Sequence, residues 1–168
     1  MIFELLGQAL PQYEVLSITD NNYADVREIF ETNCQFLKEA YGNLIDEKGV
    51  LGAILQLPDE SFSPVNKYIA AICKNGRTVA AVDLLANFPA EGEIYLSFLI
   101  VHEDMKGRGF GSIITEGIVR AAGFAGFTRI ILNSFKSTAE FWRKQGFEQT
   151  SCNDDFLAFH RSIYERAN

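Results

Sequence analysis

The spacing of apolar and polar positions changes several times along the chain, and each change marks an element. Residues 2–10 are apolar enough for a short helical lead, stopped by Pro11. Residues 13–18 alternate with period two, which predicts a half-buried strand. From 23 to 41, Val26, Ile29, Phe30, Phe36 and Leu37 recur near helical spacing. A second helical pattern follows over 44–57, and 58–64 reads as a polar, Pro-containing loop. Residues 67–74 and 77–86 are strand patterns on either side of Asn75-Gly76, a strong hairpin signal. After a turn over 87–92, residues 93–101 form a third strand of this meander. Residues 112–126 are helical, 127–133 a strand, 137–145 a short helix, and 146–150 with 156–160 a closing hairpin. The predicted order after the lead is β, α, α, β, β, β, α, β, α, β, β. A strand–helix–strand crossover makes its two strands parallel. The expected fold is therefore a mixed α/β (α+β) sheet, an antiparallel meander joined to a parallel pair, flanked by helices.

The turn between the third meander strand and the helix carries the most chemistry. It contains Lys106, Gly107, Arg108, Gly109, Phe110, Gly111 and Ser112. Glycines let the backbone adopt positive φ and approach a ligand closely. The first amides of the following helix then face an anion, with the helix dipole favouring negative charge there. Lys106 and Arg108 add cationic donors, so the turn reads as a pyrophosphate cradle. It lacks the P-loop signature. Its glycines, at 107, 109 and 111, do not have dinucleotide-fingerprint spacing. The plainer alternative is an ordinary surface turn rich in glycine.

Composition narrows the classes. The chain has 168 residues, about one domain on the size prior, so 1–168 is read as a single unit. A net charge of −7 argues against nucleic acid as a partner and mildly favours a cationic acceptor. No apolar run reaches the ~20 residues of a membrane span. The start of the chain carries Glu4 and no basic segment, unlike a signal peptide. The expectation is a cytoplasmic protein with no membrane partner. Cys34, Cys73 and Cys152 form no C-x-x-C pair and are expected to be buried free thiols. No metal-ligand spacing appears, and His102 and His160 are expected to be structural, although His102 adjoins the turn and could contact phosphate.

Val101, Lys106, Gly107, Gly109 and Gly111 together resemble motif A of the GCN5-related N-acetyltransferases (GNAT), with Lys106 where the family favours Arg or Gln. Phe141-Trp142-Arg143-Lys144-Gln145-Gly146-Phe147 resembles a second family motif, about 30 residues further on. The resemblance covers roughly 13–160. It implies a GNAT-type fold in which the parallel strands splay apart, and acetyl-CoA as cosubstrate. It also implies main-chain contacts from Leu99, Ile100 and Val101 to the pantetheine arm, and a pyrophosphate site at 106–112. The implied reaction moves an acetyl group from acetyl-CoA to a primary amine of a small molecule or peptide, by direct attack in a ternary complex. The alternative is an acyl-CoA sensor, or a module with reduced turnover.

Further roles are expectations on the same footing. Glu93 is the candidate general base, with Tyr95 and Ser97 as rivals on the same face by period two. Trp142 stands where many relatives carry a proton-donating Tyr. An indole N–H keeps its proton at neutral pH, so Trp142 is expected to pack against the coenzyme or the core. Ser134, Ser137 and Tyr164 are alternative hydroxyls. Asn133, read as the end of its strand, is a further candidate contact to the pantetheine arm. The acceptor pocket is expected from the first two helices, their connection and the 87–92 turn, with Tyr23, Phe30, Phe36, Tyr41 and Phe88 as possible lining. A homodimer is left open.

Overall fold

The computed structural model describes residues 2–19, 21–34, 37–38, 49, 52, 54–153 and 156–163. Its elements are α1 (Ile2–Ala9), β1 (Glu14–Ser17), α2 (Ala24–Thr32), β2 (Lys67–Lys74), β3 (Arg77–Ala86), β4 (Glu93–Val101), α3 (Phe110–Phe124), β5 (Arg129–Phe135), α4 (Ala139–Lys144), β6 (Glu148–Cys152) and β7 (Phe156–Ser162). The second helical pattern, 44–57, and the continuation of the first beyond Thr32 lie largely outside the described residues. So do Phe36, Tyr41 and Tyr164.

The strands form one seven-stranded sheet in the order β1-β2-β3-β4-β5-β7-β6. Every neighbouring pair is antiparallel except β4–β5. The meander matches the periodicity. Asn75 and Gly76 both have positive φ, 53° and 74°, as a two-residue turn of the hairpin hand requires. The parallel pair also matches, since α3 is the crossover. β5 starts and ends two residues later than its pattern predicts, so Asn133 lies inside the strand rather than at its end. Similarly, α3 begins at Phe110 instead of Ser112.

The sheet separates two cores. On one face Leu6, Leu10, Ile72, Val82, Ile94, Leu96, Ile114, Ile118 and Phe159 pack together. On the other, Val26, Ile29 and Phe30 of α2 cover Ile69, Ala71, Ala81, Phe98 and Ile100. β4 supplies first one core and then the other. Ile94 and Leu96 belong to the first, Phe98 and Ile100 to the second. The cause is a register shift: Asp83 pairs with Phe98 but Leu84 pairs with Leu96, leaving Ser97 as an extra residue. This β-bulge bends the strand and reverses which parity faces which side. Simple alternation along β4 therefore fails beyond Leu96.

α1 is locked onto α3 at Gly117. A Cβ there would lie 2.5 Å from one Leu10 methyl carbon and 2.6 Å from its Cγ, and Leu10 is buried. Gly→Ala inside a helix normally stabilises by up to ~1 kcal/mol. Here overpacking reverses the sign. We expect Gly117→Ala to destabilise by about 1–3 kcal/mol, with a smaller loss when Leu10→Ala is also present. Urea denaturation of the two single variants and the double variant measures this coupling.

No helix among the described residues is long and apolar enough to cross a membrane. Cys73 is buried and Cys34 half-buried, but Cys152 is exposed on edge strand β6, contrary to the expectation of three buried thiols.

Candidate active site

The sheet opens where its single parallel pair fails. β4 and β5 pair over only three positions, Glu93↔Arg129, Ile94↔Ile130 and Tyr95↔Ile131. Beyond Tyr95 the strands part, and the side of β4 away from β3 faces a cleft of 1340 Å³. Leu99, Ile100 and Val101 line one wall, Asn133 and Ser134 of β5 the other, and the glycine turn closes one end. Phe88, Pro89 and Leu57 border it elsewhere. The bulge at Ser97 lies in the wall at the point of divergence.

The glycine turn has the geometry of an anion cradle. After a short 3₁₀ turn (Glu103–Met105), Gly107 and Gly109 adopt positive φ of 71° and 81°. Gly109 is the N-cap of α3, and no side chain caps that terminus. The first amides of a helix have no intrahelical partner, and Phe110, Gly111 and Ser112 line the cleft with Lys106, Gly107 and Gly109. Gly111 meets a different constraint: a Cβ there would sit 3.2 Å from the Phe141 ring. Ser112 Oγ accepts a hydrogen bond from Gln145 Nε2 at 3.0 Å. The two sequence motifs are thus in contact, the second buttressing the first. The residues present suit a pyrophosphate. Lys106 lines the cradle while its ammonium is paired with Glu103. Arg108 is exposed and does not line the cleft, so the geometry does not bring it to the cradle.

His102, just before the turn, does not present its ring to the cleft. It is 2% exposed, and its Nδ1 accepts the Asp104 N–H at 3.2 Å, which leaves the neutral ring's proton on Nε2 to donate to Glu28 at 3.1 Å. Arg77 adjoins the same nitrogen at 2.9 Å. Hydrogen bonds from His102, then from Arg77, hold the Glu28 carboxyl below its usual range. Nearby, Asn33 donates to the Val101 carbonyl at 3.0 Å. Together these bonds tie α2 and β3 to the end of β4.

The remaining candidates are distributed unevenly. Glu93 is not brought to the cleft: its carboxylate accepts from Arg129 at 2.9 Å, at the paired end of β4–β5. That register neighbour lies across the crossover, so sequence spacing does not reveal it. Tyr95 does line the cleft, with its ring edge-on to Phe88 at 5.7 Å. Burial raises the Tyr95 hydroxyl's pKa, and the Asn133 main-chain amide offsets this only in part. Tyr95 therefore stays protonated at neutral pH and suits donation better than proton acceptance. Ser134 is buried, its hydroxyl 2.8 Å from that of Thr138 and 2.9 Å from the Phe135 carbonyl. Trp142 packs between Phe141 and Phe147 in the first core and also lines the cleft. Phe30 is core, edge-on to Phe98 at 5.6 Å. Of Tyr23, Phe30 and Phe88, the described candidates for the acceptor pocket, Phe88 alone lines the cleft.

Asp83 of β3 is a cleft residue that the sequence motifs do not single out. It is 1% exposed, its Oδ2 lies 2.6 Å from Lys67 Nζ, and both residues line the cleft. Burial raises its pKa; Lys67 and, more weakly, Ser97 pull it back. A signal for it does exist in the sequence. A lone carboxylate inside the apolar run 79–86 needs a buried partner.

Residues 24–147 match the acetyltransferase (GNAT) family. The chain belongs to that family. Solved members share its fold at low identity. An acetyltransferase from Thermus thermophilus superposes with a TM-score of 0.75 at 18% identity, covering 90% of this chain and 97% of its own. The GNAT domain of S. lividans PAT gives 0.67 at 18%, covering 90% of each chain. The PaiA N-acetyltransferase from Thermoplasma acidophilum, in complex with coenzyme A, gives 0.67 at 10%, covering 89% and 98%. No curated protein matches the sequence. As a GNAT acetyltransferase, the protein transfers acyl groups from acyl-CoA.

Proposed function

We propose that this GNAT protein transfers an acetyl group from acetyl-CoA to the primary amine of a small molecule or peptide, by direct attack within a ternary complex. The observation that carries this reading is the continuity of the cleft. It runs from the glycine cradle, along the unpaired side of β4, past the bulge at Ser97, to Phe88 and Pro89, where it has room for an acceptor.

Each part of the chain then has a chemical task. The uncapped amides at the start of α3 bind phosphate oxygens. The side of β4 away from β3, open beyond Tyr95, extends the pantetheine arm along Leu99–Val101 as an added strand would, with Asn133 facing it from β5. Holding thioester and amine together supplies much of the rate through proximity. A β4 amide freed by the bulge can donate to the developing oxyanion. The Tyr95 hydroxyl, kept protonated by burial, can donate toward the departing sulfur.

Calorimetry with acetyl-CoA, followed by thiol release with a panel of primary amines, tests the proposal. Saturable binding with sustained thiol release on at least one amine is expected. Binding without turnover on any amine would instead support an acyl-CoA sensor. Absence of binding at millimolar acetyl-CoA would overturn both.

A further inference from the structure

Asp83 poses a problem that its ion pair does not solve. Lys67 satisfies Oδ2, while Oδ1 is buried and closes no well-formed hydrogen bond among the described residues, the Ser97 hydroxyl interacting with the carboxylate only weakly. Leaving a carboxylate oxygen unpaired at such depth is costly, and native structures rarely do so without a use. The place is specific. Asp83 is the register partner of Phe98, beside the bulged Ser97, just beyond the last β4–β5 pair. Ser97 is only half-buried and lines the cleft, so its hydroxyl can meet both a ligand and the carboxylate behind it.

We propose that Ser97 and Asp83 form the proton-accepting relay for the acceptor amine, with Ser97 touching the substrate and Asp83 positioned behind it by Lys67. This rests on the amine-acceptor reading above and deepens it, assigning the acceptor's class as a cationic primary amine that arrives protonated. The ammonium N–H donates to Ser97 Oγ, while Ser97 O–H donates to Asp83 Oδ1. One proton passes along this path, leaving Asp83 neutral and the amine with its lone pair. The nitrogen attacks the thioester carbonyl, the C–N bond forms and the C–S bond breaks. The nitrogen's second proton goes to the thiolate sulfur through water or Tyr95. Asp83 then returns its proton to solvent. The balance is ammonium plus thioester giving amide, thiol and one released proton.

The groups facing Asp83 support this direction of transfer. Among the described residues, Lys67 of β2 is the cation on it and Tyr95 of β4 is the nearby titratable neighbour, kept protonated by burial. The α2 side chains packed on this face are apolar.

The test compares Asp83→Asn, Ser97→Ala and Ser97→Thr with wild type. The probes are benzylamine, propylamine and a peptide with a free amino terminus. Acetyl-CoA affinity should be unchanged in all three variants. Asp83→Asn should lower kcat/KM for the amine by roughly 100-fold or more. With benzylamine and propylamine its rate should also rise about tenfold per pH unit through neutrality, because only the pre-formed neutral amine reacts and its fraction grows that steeply well below the amine's pKa, whereas with the peptide the rise should level off near the amino terminus's own pKa of about 8. Wild type should be flat over the same range. Ser97→Ala should shift the profile in the same direction, and Ser97→Thr, which keeps the hydroxyl, should retain most of the wild-type behaviour. Should Asp83→Asn fail to fold, the two Ser97 variants carry the test through the same profile. Variants that keep the flat wild-type profile would overturn the relay while leaving the acetyltransfer reading intact. Wild type that binds acetyl-CoA yet turns over none of the amines would overturn the amine reading and the relay with it.

Discussion

Gly109→Asp should lose acetyl-CoA binding by about 100-fold or more while leaving the fold intact. Gly109 is the N-cap of α3, at φ 81°, and a Cβ built there meets no atom within 4 Å. Space is therefore not the obstacle. Two other effects are. Positive φ costs an L-residue about 1–2 kcal/mol, somewhat less for Asp, which tolerates this region better than most. The larger effect is electrostatic. The new carboxylate would sit at the mouth of the uncapped amides, competing for them and repelling a pyrophosphate. Charge-assisted hydrogen bonds contribute roughly 1.5–3 kcal/mol each. Losing two therefore amounts to about 3–6 kcal/mol, or two to four decades of affinity. Gly109→Ala separates the causes, because it introduces the strain without the charge. It should lower the melting temperature by a few degrees and weaken binding far less than Asp does. Calorimetry and thermal unfolding of both variants measure the split. Wild-type affinity in Gly109→Asp would mean that the cradle is not the anion site.

This loop was legible because its requirements are local. Positive φ at Gly107 and Gly109, and an uncapped helix start, follow from residue types within a few positions of one another. The meander was legible for the same reason: Asn75-Gly76 sets a tight turn between two period-two runs. What sequence did not reveal depends on register. Glu93 looks like a well-placed base by spacing, yet the parallel pairing sets it opposite Arg129, which captures it. Ser97 appears to share a face with Glu93 and Tyr95, until one extra residue in β4 changes the alternation. Asp83 and Lys67 are sixteen positions apart and meet only through the β2–β3 register, where Lys67 aligns with Leu85 and Ile69 with Asp83. The chemistry of this cleft thus comes mostly from residues that strand pairing brings together, while the coenzyme site comes from a contiguous motif.

The Lys67–Asp83 pair should have the largest effect on stability. Lys67→Met removes the buried countercharge and keeps most of the apolar stem. At neutral pH it should cost about 3–5 kcal/mol, the usual penalty for leaving one member of a buried pair uncompensated. For a chain of this size that corresponds to a fall in melting temperature of roughly 6–20 °C. The pH dependence identifies the cause. Burial already raises the Asp83 pKa in the folded protein above its unfolded value, and Lys67 opposes that rise. A carboxyl with a raised folded pKa contributes most to stability when protonated, below its unfolded pKa, and that contribution is lost as pH rises through the folded value. Removing Lys67 raises the folded value further. The deficit of Lys67→Met should therefore be small in acid, where Asp83 is neutral in both proteins, and grow as pH rises toward neutrality. Adding Asp83→Leu to Lys67→Met should recover most of the loss, since an apolar pair of similar volume needs no countercharge. Denaturant titrations from acidic to neutral pH measure all three terms. A deficit that stays constant across that range would assign the loss to packing rather than to the stranded charge.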